Sequence, residues 1–410
     1  MTETVEAITT DAPDVPHTER WERVHMPNYG TPRLMFTEGE GARLKGHDGR
    51  TYVDLLAGLA VNIVGHAHPE VVKAVSDQVA RLGHVSNLYA SDVALRLCER
   101  LHALSGGRKV MLVNSGAEAN EAALKVVRRH AHMEGMDAPV VVAFNGSFHG
   151  RTLGALALTG QPAYQEGFGP LPGGVVHVPF NDPAALEQVF EEHQVAGFFA
   201  EFLQGEGGVV PMARETADTL SRLKEAHGTV LVADEVQTGM GRTGHFFAHE
   251  HFAAKPDIIT LAKALGGGMP IGAMLVRPDL AAKMGPGSHG TTFGGNPVSS
   301  AAALAVLDIY ERENLGRRAA RLGLRLSDRL TDALAPHGLV PRGLGMLQGV
   351  PLPKPVAPEV VRRAEEDGVI IGQAGKSVVR FAPPLTIGED ELYESLPVVV
   401  DAIASSLSSG

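Results

Sequence analysis

The chain is predicted to fold as an α/β protein with a largely parallel sheet that helices cover on both faces. Short apolar segments alternate with amphipathic segments through the middle of the chain. The apolar segments are continuous, as expected for strands buried on both faces. Polar and glycine-rich stretches follow these strands directly, at the sheet edge where ligands bind in such folds. These three observations predict both the fold class and the position of a binding site.

The middle of the chain contains five predicted strands and three predicted helices. The strands are expected at Val110–Val113, Val140–Phe144, Val195–Ala200, Val230–Ala233 and Ile258–Ala262. The helices are expected at residues 117–130, 183–193 and 215–227. Nearer the N-terminus, Gly39–Asp54 has the pattern of a small hairpin that turns at His47-Asp-Gly49.

Four segments are expected along the chain. Residues 1–20 are acidic and polar, lack the pattern of a secretory signal, and are predicted to form a loose tail. Residues 71–315 carry the alternating pattern and are assigned to a large domain. Residues 21–70 and 316–410 are assigned to the N-terminal and C-terminal parts of a smaller α/β domain.

Bulk properties exclude several classes of protein. The 410 residues include 36 Lys and Arg against 47 Asp and Glu, giving a formal net charge of −11. This balance argues against a general nucleic-acid or anionic-membrane binder. Cys98 is the only cysteine and has helical spacing, which favours core packing and a reducing compartment. Because no apolar run approaches the ~20 residues of a membrane span, we expect a cytoplasmic protein.

Two strand ends carry the groups that a pyridoxal 5'-phosphate (PLP) enzyme requires. Asp234 follows one apolar run, and Lys263 follows the next, with three glycines shortly after it. A lysine supplies the Schiff-base nitrogen for this cofactor, and a carboxylate pairs with its pyridinium nitrogen. Either residue alone has an ordinary interpretation as a solvated strand end. The combination predicts a PLP site.

Two further segments fit the same site, although each also has a structural interpretation. Ser115-Gly-Ala-Glu118 has the pattern of a capping box, and a helix start of small residues also presents free N–H groups to an anion. Ser115, Gly116 and Ala117 are therefore candidates for holding a phosphate. Phe148, beside glycines at a strand end, suits either core packing or stacking on an aromatic cofactor.

Two motifs are interpreted as decoys. Gly239-Met-Gly-Arg-Thr-Gly244 matches a dinucleotide-binding pattern, but a poor helix start follows it and Asp257 precedes the next strand instead of ending it. His249-Glu-His251 lacks the spacing of a zinc-binding pair, so no metal site is expected.

Seven motifs together resemble the class III aminotransferases, which are PLP enzymes of the aspartate-aminotransferase fold (fold type I). The resemblance runs from about Asn28 to near the C-terminus, and within the class it is nearest to the acetylornithine-type enzymes. Its motifs are Asn114-Ser-Gly-Ala-Glu-Ala-Asn120, Phe148-His-Gly-Arg151, Gln204-Gly-Glu-Gly207, Asp234-Glu-Val-Gln-Thr-Gly239, Ala262-Lys-Ala-Leu-Gly-Gly-Gly268, Gly290-Thr-Thr-Phe-Gly-Gly-Asn-Pro297 and Arg380-Phe-Ala-Pro-Pro384.

The resemblance implies roles around the cofactor. Lys263 would form the Schiff base and then act as the base for proton transfer, and Asp234 would keep the ring nitrogen protonated. Gln237 would meet the ring O3', and Phe148 would stack on one ring face. The phosphate would be held by the helix start at residues 115–117 and by Thr292 of a partner subunit, which implies a homodimer with a shared site.

The resemblance also implies how two substrates share one pocket. Arg151 would bind the α-carboxylate of N2-acetyl-L-ornithine, and Arg380 that of 2-oxoglutarate or glutamate. Glu201 would pair with Arg380 and mask it while an ω-amine occupies the pocket. The implied reaction yields N-acetyl-L-glutamate 5-semialdehyde and glutamate, a step of arginine biosynthesis. One departure is visible: Phe202 stands where the family usually has proline.

Other functions share parts of this pattern. Class III enzymes that act on ornithine, succinylornithine, 4-aminobutyrate or a carrier-linked lysine use the same cofactor residues. A PLP-binding regulator without enzyme activity would need a nucleic-acid-binding module, which the acidic N-terminus does not suggest. A nicotinamide dehydrogenase would need the 239–244 segment to bind a dinucleotide. The sequence does not separate the class III donors or a dimer from a tetramer.

Overall fold

The structure is a computed structural model that describes residues 15–252 and 254–408. Its strands are β1 (Phe36–Glu40), β2 (Arg43–Gly46), β3 (Thr51–Asp54), β4 (Lys109–Val113), β5 (Val140–Phe144), β6 (Val175–Val178), β7 (Val195–Ala200), β8 (Leu203–Gln204), β9 (Val210–Pro211), β10 (Val230–Asp234), β11 (Ile258–Leu261), β12 (Gly272–Val276), β13 (Arg342–Leu344), β14 (Leu347–Pro351), β15 (Val369–Ile370), β16 (Gly372–Ala374) and β17 (Val378–Phe381).

Helices connect most of these strands. They are α1 (His17–Val24), α2 (Ala57–Ala60), α3 (Pro69–Arg81), α4 (Asp92–Leu104), α5 (Gly116–Met133), α6 (Leu153–Leu158), α7 (Pro162–Gln165), α8 (Pro183–Glu192), α9 (Arg214–His227), α10 (Pro278–Ala281), α11 (Pro297–Arg312), α12 (Leu315–Leu334), α13 (Ala357–Glu366) and α14 (Glu389–Ser408). The short element α2 is a left-handed turn, with positive φ at all four residues.

A seven-stranded sheet with the order β4-β12-β11-β10-β7-β5-β6 forms the centre of the molecule. The pairs β5–β6, β5–β7, β7–β10 and β10–β11 are parallel. Strand β12 is antiparallel to both of its neighbours. The prediction of a mostly parallel α/β sheet is confirmed, and the sequence analysis missed β6 and the antiparallel β12.

Successive residues of the central strands enter two different apolar clusters. In β10, Val230 and Val232 belong to one cluster together with Val126 and Val127 of α5. The alternating residue Leu231 belongs to the second, larger cluster. Because side chains alternate across a strand, both faces of the sheet are buried. This explains why the strands are continuous apolar runs.

The two ends of the chain meet in a smaller sheet. Strands β1, β2 and β3 form the predicted hairpin region, and β15 adds to β3 in parallel. A second small sheet has the order β13-β14-β17-β16. The expected tail at residues 1–20 lies outside the described residues up to position 14, and α1 begins within its last part. The proposed domain limits at 70 and 315 remain a prediction.

Within residues 15–252 and 254–408, no helix has both the length and the apolar character of a membrane span.

Candidate active site

A pocket of about 440 Å³ opens at the carboxyl ends of the central strands. Its size falls within the range of small-molecule sites, ~300–1,000 Å³. Most of the candidate site residues line it: Ser115, Gly116, Ala117, Phe148, Arg151, Glu201, Asp234, Gln237 and Lys263. The fold therefore brings together, at one edge of the sheet, residues that lie up to 148 positions apart in the sequence (263 − 115).

Lys263 begins a 3₁₀ turn just beyond β11, and its backbone lies in the left-handed region with φ of 40°. Such a conformation is costly for a residue with a side chain and is found mostly at functional sites. Burial lowers the pKa of the Lys263 ammonium, against the opposing effect of nearby carboxylates. A lysine held in this way has more of the neutral, nucleophilic amine at neutral pH.

Asp234 is the last residue of β10, and hydrogen bonds hold its carboxylate from two sides. Oδ2 accepts from Asn120 Nδ2 and lies against His149 Nδ1, both at 2.7 Å. Oδ1 accepts from Val236 N at 3.0 Å. Thr260 Oγ1 in turn donates to Asn120 Oδ1 at 2.9 Å. The carboxylate is thus fixed in orientation inside the pocket.

His149 and Glu201 add two buried titratable groups beside Asp234. Burial opposes the charged form of His149, but the hydrogen bond and the charge of Asp234 outweigh it and raise the pKa of His149. Burial, aided by the charge of Asp234, raises the pKa of Glu201 to about 7, although His149 opposes this. Glu201 Oε2 accepts a hydrogen bond from Phe148 N at 3.0 Å. Glu201 therefore positions the backbone that carries the Phe148 ring.

The start of α5 provides a small-residue rim to the pocket. Ser115 Oγ accepts from Glu118 N at 3.2 Å, as the predicted cap requires. The Glu118 carboxylate, however, accepts from Asn114 N at 2.8 Å, one residue before the position of a true capping box. A Cβ on Gly116 would lie 2.7 Å from Val236, so the helix start approaches the Asp234 loop closely. Free N–H groups at this end suit an anion.

Arg151 lies at the mouth of the pocket on two aromatic rings. Its guanidinium carbon is 3.8 Å from the Tyr164 ring centroid and 5.6 Å from that of Phe148. Among the residues that the structure describes, no carboxylate lies within ion-pair distance of Arg151. Its charge therefore remains available for an external carboxylate.

The predicted pair of Glu201 with Arg380 is wrong, because Arg380 pairs with Glu206 at 2.5 Å. Both glutamates line the pocket, but Glu206, which lies five positions further on and beyond the short strand β8, reaches Arg380, whereas Glu201 accepts a hydrogen bond from the Phe148 backbone. Arg380 comes from β17 and is almost fully buried. The signal for Glu206 was present in the Gln204-Gly-Glu-Gly207 motif, but no spacing rule distinguishes two glutamates of one loop.

Phe202, which replaces the usual proline, is buried with its ring centroid 5.4 Å from that of Phe252. The ring therefore packs in the core and is not among the residues that line the pocket. Sequence reasoning also missed Asn120 and His149 as neighbours of Asp234. Both lie in motifs that were singled out, and a buried polar residue within an otherwise apolar helix face was the available signal for Asn120.

Thr292 is exposed and lies outside the pocket of its own chain. The hydroxyl oxygen of the neighbouring Thr291 accepts a hydrogen bond from Asn114 Nδ2 at 3.0 Å. A role for Thr292 therefore depends on a second subunit.

The decoy motifs have structural explanations. The 239–244 segment forms buried turns without a following α-helix, and Arg242 donates to the carbonyls of Met346 and Pro383. His249 Nδ1 lies 3.0 Å from Glu235 Oε1. Cys98 packs against the core, and burial raises the pKa of its thiol to about 11. Such a thiol is a poor nucleophile.

The residues of the pocket fit PLP. Lys263 and the fixed Asp234 carboxylate stand at one pocket, as the imine and pyridinium nitrogens of this cofactor require. Within the described part of the chain, the buried atoms Gln237 Oε1 and His149 Nε2 have no hydrogen-bond partner. Buried polar atoms rarely lack partners, so these two indicate a polar group that completes the site.

The profile of the class III aminotransferases matches residues 25–403. The acetylornithine aminotransferase of Mycolicibacterium smegmatis is 47% identical over 389 residues, which cover 94% of this chain and 98% of that protein. The N-acetylornithine aminotransferase structure from Stenotrophomonas maltophilia is 36% identical, with a TM-score of 0.81 over 92% of this chain and 98% of the other. The ornithine aminotransferase structure from Toxoplasma gondii, described as partly occupied by PLP, is 32% identical, with a TM-score of 0.91 over 95% and 94%.

The raised pKa of Glu201 predicts a pH-dependent stability. An unfolded glutamate titrates near 4.5, whereas Glu201 titrates near 7 in the folded chain. The folded state therefore keeps a proton that the unfolded state loses, and stability falls as the pH rises between these values. We expect the free energy of unfolding of the wild type to fall by on the order of 1–3 kcal/mol over this pH range, and Glu201→Gln to abolish that decrease. Thermal unfolding of both proteins at pH 5 and pH 8 measures it.

Glu192→Gln, on the exposed end of α8, is the matched control and should leave the pH dependence unchanged. An equal fall in stability for wild type and Glu201→Gln would contradict the assignment.

Proposed function

Because the chain belongs to the class III aminotransferase family, we propose that it transfers the δ-amino group of N2-acetyl-L-ornithine to 2-oxoglutarate. The products are N-acetyl-L-glutamate 5-semialdehyde and L-glutamate, as in arginine biosynthesis. The observation that carries the proposal is the contrast between two arginines near one pocket. Arg151 has no carboxylate partner among the described residues, whereas Glu206 neutralises Arg380. The acetylornithine aminotransferase at 47% identity supports the choice of donor.

PLP, the cofactor of this family, supplies an electron sink when it is bound. In the proposed arrangement, Asp234 would hold the proton on the ring nitrogen, and the hydrogen bonds from Asn120 and His149 keep its carboxylate in place. Gln237 would hold the ring O3', and Phe148 would cover one face of the ring. The N–H groups and small side chains at residues 115–117 hold the phosphate.

Lys263 has two proposed tasks. Its Nζ would hold the cofactor covalently, and as a free amine the same group would accept and return the proton that the reaction moves. The lowered pKa supports both tasks, because nucleophilic attack and proton acceptance need the neutral amine.

The two arginines are proposed to serve different half-reactions. Arg151 binds the α-carboxylate of N-acetylornithine and directs the distant δ-amine towards Lys263. During this step Glu206 masks Arg380, so the pocket does not attract a second carboxylate. A 2-oxo diacid then displaces Glu206 and binds Arg380 through a planar fork. The neutralisation of Arg380 by Glu206 would thus make the pocket prefer an ω-amine donor over an α-amino acid.

The protein is also proposed to act as a cytoplasmic homodimer. Thr292 is exposed beside Phe293, and Leu88 and Tyr89 of a nearby loop expose 86% and 70% of their surface. Large exposed apolar side chains on neighbouring loops are typical of a subunit interface. A partner subunit packed here would bring Thr292 to the phosphate of the other site.

Ornithine is the alternative donor, because an ornithine aminotransferase has the same fold with a TM-score of 0.91. Its α-amino group is charged, whereas that of N-acetylornithine is a neutral amide. A panel of both donors against 2-oxoglutarate distinguishes the two functions by kcat/KM.

Lys263→Ala is expected to abolish turnover while the protein still folds and binds PLP without a covalent bond. The loss should be at least ~10²–10⁴-fold, since the variant lacks the proton-transfer base in addition to the covalent attachment. Borohydride reduction and peptide mapping should locate the cofactor of the wild type on Lys263. Label on another lysine, or near-normal activity of the variant, would refute the assignment.

Single-turnover kinetics of each half-reaction should separate the three substrate residues. We expect Arg151→Ala to slow the N-acetylornithine half-reaction more than the 2-oxoglutarate half-reaction, and Arg380→Ala to show the opposite bias. Glu206→Ala should raise kcat/KM for glutamate relative to N-acetylornithine, because Arg380 loses its mask. Glu206→Gln, which keeps the shape without the charge, should act in the same direction. Equal slowing of both half-reactions by all variants would contradict the proposed masking of Arg380 by Glu206.

Dilution should test the shared site. If Thr292 reaches the neighbour's phosphate, then conditions that produce monomers should release PLP and activity together. Light scattering and cofactor absorbance on the same samples measure both. A fully active monomer would rule out the shared site.

A further inference from the structure

Tyr164 contacts two of the proposed site residues, Arg151 and Phe148, and is not itself one of the proposed cofactor or substrate residues. Its ring lies 3.8 Å from the guanidinium carbon of Arg151. The ring centroids of Tyr164 and Phe148 are 6.0 Å apart and nearly perpendicular, at 87°. Arg151 thus stacks on Tyr164, and the Tyr164 ring packs almost perpendicular to the ring that is proposed to cover the cofactor.

The segment that carries Tyr164 is fixed to the pocket wall by its glutamines. Gln165 Nε2 donates to the carbonyls of Leu156 and Thr159, at 3.1 and 2.8 Å. Gln161 Nε2 lies 3.3 Å from the carbonyls of Gly146 and Ser147, just before Phe148. These bonds attach α7 to the loop that forms the pocket. The Tyr164 ring is therefore a preorganised surface.

Arg151 needs such a surface more than Arg380 does. Arg380 is buried and has a carboxylate partner that fixes its orientation. Arg151 is exposed, and among the described residues its guanidinium contacts the rings of Tyr164 and Phe148. A free arginine side chain has considerable rotamer entropy, which is lost when it binds a carboxylate. Stacking on an aromatic face reduces this loss before the substrate arrives.

We propose that Tyr164 is a positioning and specificity-determining residue that holds Arg151 ready for the carboxylate of the amino donor. The inference rests on the proposed function and names the part of the donor that the ring selects. Donors with an α-carboxylate and a distant amine benefit from Tyr164, whereas donors without the carboxylate do not. The 2-oxo diacid carries two carboxylates, one for Arg380 and one that Arg151 can also bind, so a donor without a carboxylate is the comparison that isolates Tyr164.

The test compares Tyr164→Leu with Tyr164→Phe in single-turnover reactions of the PLP-loaded protein. The leucine variant loses the aromatic face. We expect its half-saturating concentration of N-acetylornithine to rise about 2- to 5-fold, as the loss of an exposed cation–π contact of about 0.5–1 kcal/mol implies. The rate at saturation should stay within about 1.5-fold of the wild-type rate, because the reacting groups remain in place.

Tyr164→Phe should bind N-acetylornithine as tightly as the wild type, because it keeps the aromatic face. Within the described part of the chain, the Tyr164 hydroxyl makes no hydrogen bond that this variant would lose. N-acetylputrescine is N-acetylornithine without its carboxylate and is the matched donor. Tyr164→Leu should not weaken its binding. In an Arg151→Ala background, Tyr164→Leu should also add little to the loss for N-acetylornithine.

The proposal is overturned if Tyr164→Leu binds N-acetylornithine as the wild type does. It is equally overturned if both donors and the 2-oxoglutarate half-reaction weaken together, which would indicate general packing. Failure of the wild type to use N-acetylornithine would instead refute the proposed function. Far-ultraviolet circular dichroism and cofactor content verify that each variant is folded.

Discussion

A single buried carboxylate at the end of the central strand is the constraint on which the site depends. Asp234 is 4% exposed, yet it is held by an amide, an imidazole and a backbone N–H. An uncompensated charge in such a place would be strongly unfavourable. The amide, the imidazole and the backbone N–H stabilise the carboxylate. In the proposed arrangement the cationic ring nitrogen of the cofactor would add the compensating charge.

The second constraint is that one pocket must accept two different substrates in turn. The structure has one arginine that rests on aromatic rings and another that is neutralised by a glutamate. The first is ready for a carboxylate at all times. The second becomes available only to a ligand that competes with Glu206. In the proposed mechanism, the accessibility and charge of the two arginines, rather than their residue type, would separate the two half-reactions.

The sequence predicted the fold class from local patterns, and most of the proposed cofactor residues line one pocket in the structure. Continuous apolar runs indicate buried strands, and strand ends converge at one edge, which placed Asp234 and Lys263 together. Side-chain pairing across distant segments has no such periodicity. For this reason the partner of Arg380 was assigned to Glu201 instead of Glu206, five positions away. Strand β12 was missed because only a 3₁₀ turn separates it from β11, so it lacks the preceding helix of the alternating pattern. The stacking of Tyr164 on Arg151 depends on tertiary geometry alone.

The central claim is that nitrogen passes from the far end of an N-acylated amino acid to a 2-oxo diacid. The most direct measurement uses N2-acetyl-L-ornithine labelled with nitrogen-15 at the δ-amine, together with 2-oxoglutarate and the purified protein. The account predicts that the label appears in the α-amino group of glutamate, in an amount equal to the semialdehyde formed. Absence of labelled glutamate, or faster transfer from free ornithine than from its N2-acetyl derivative, would contradict it.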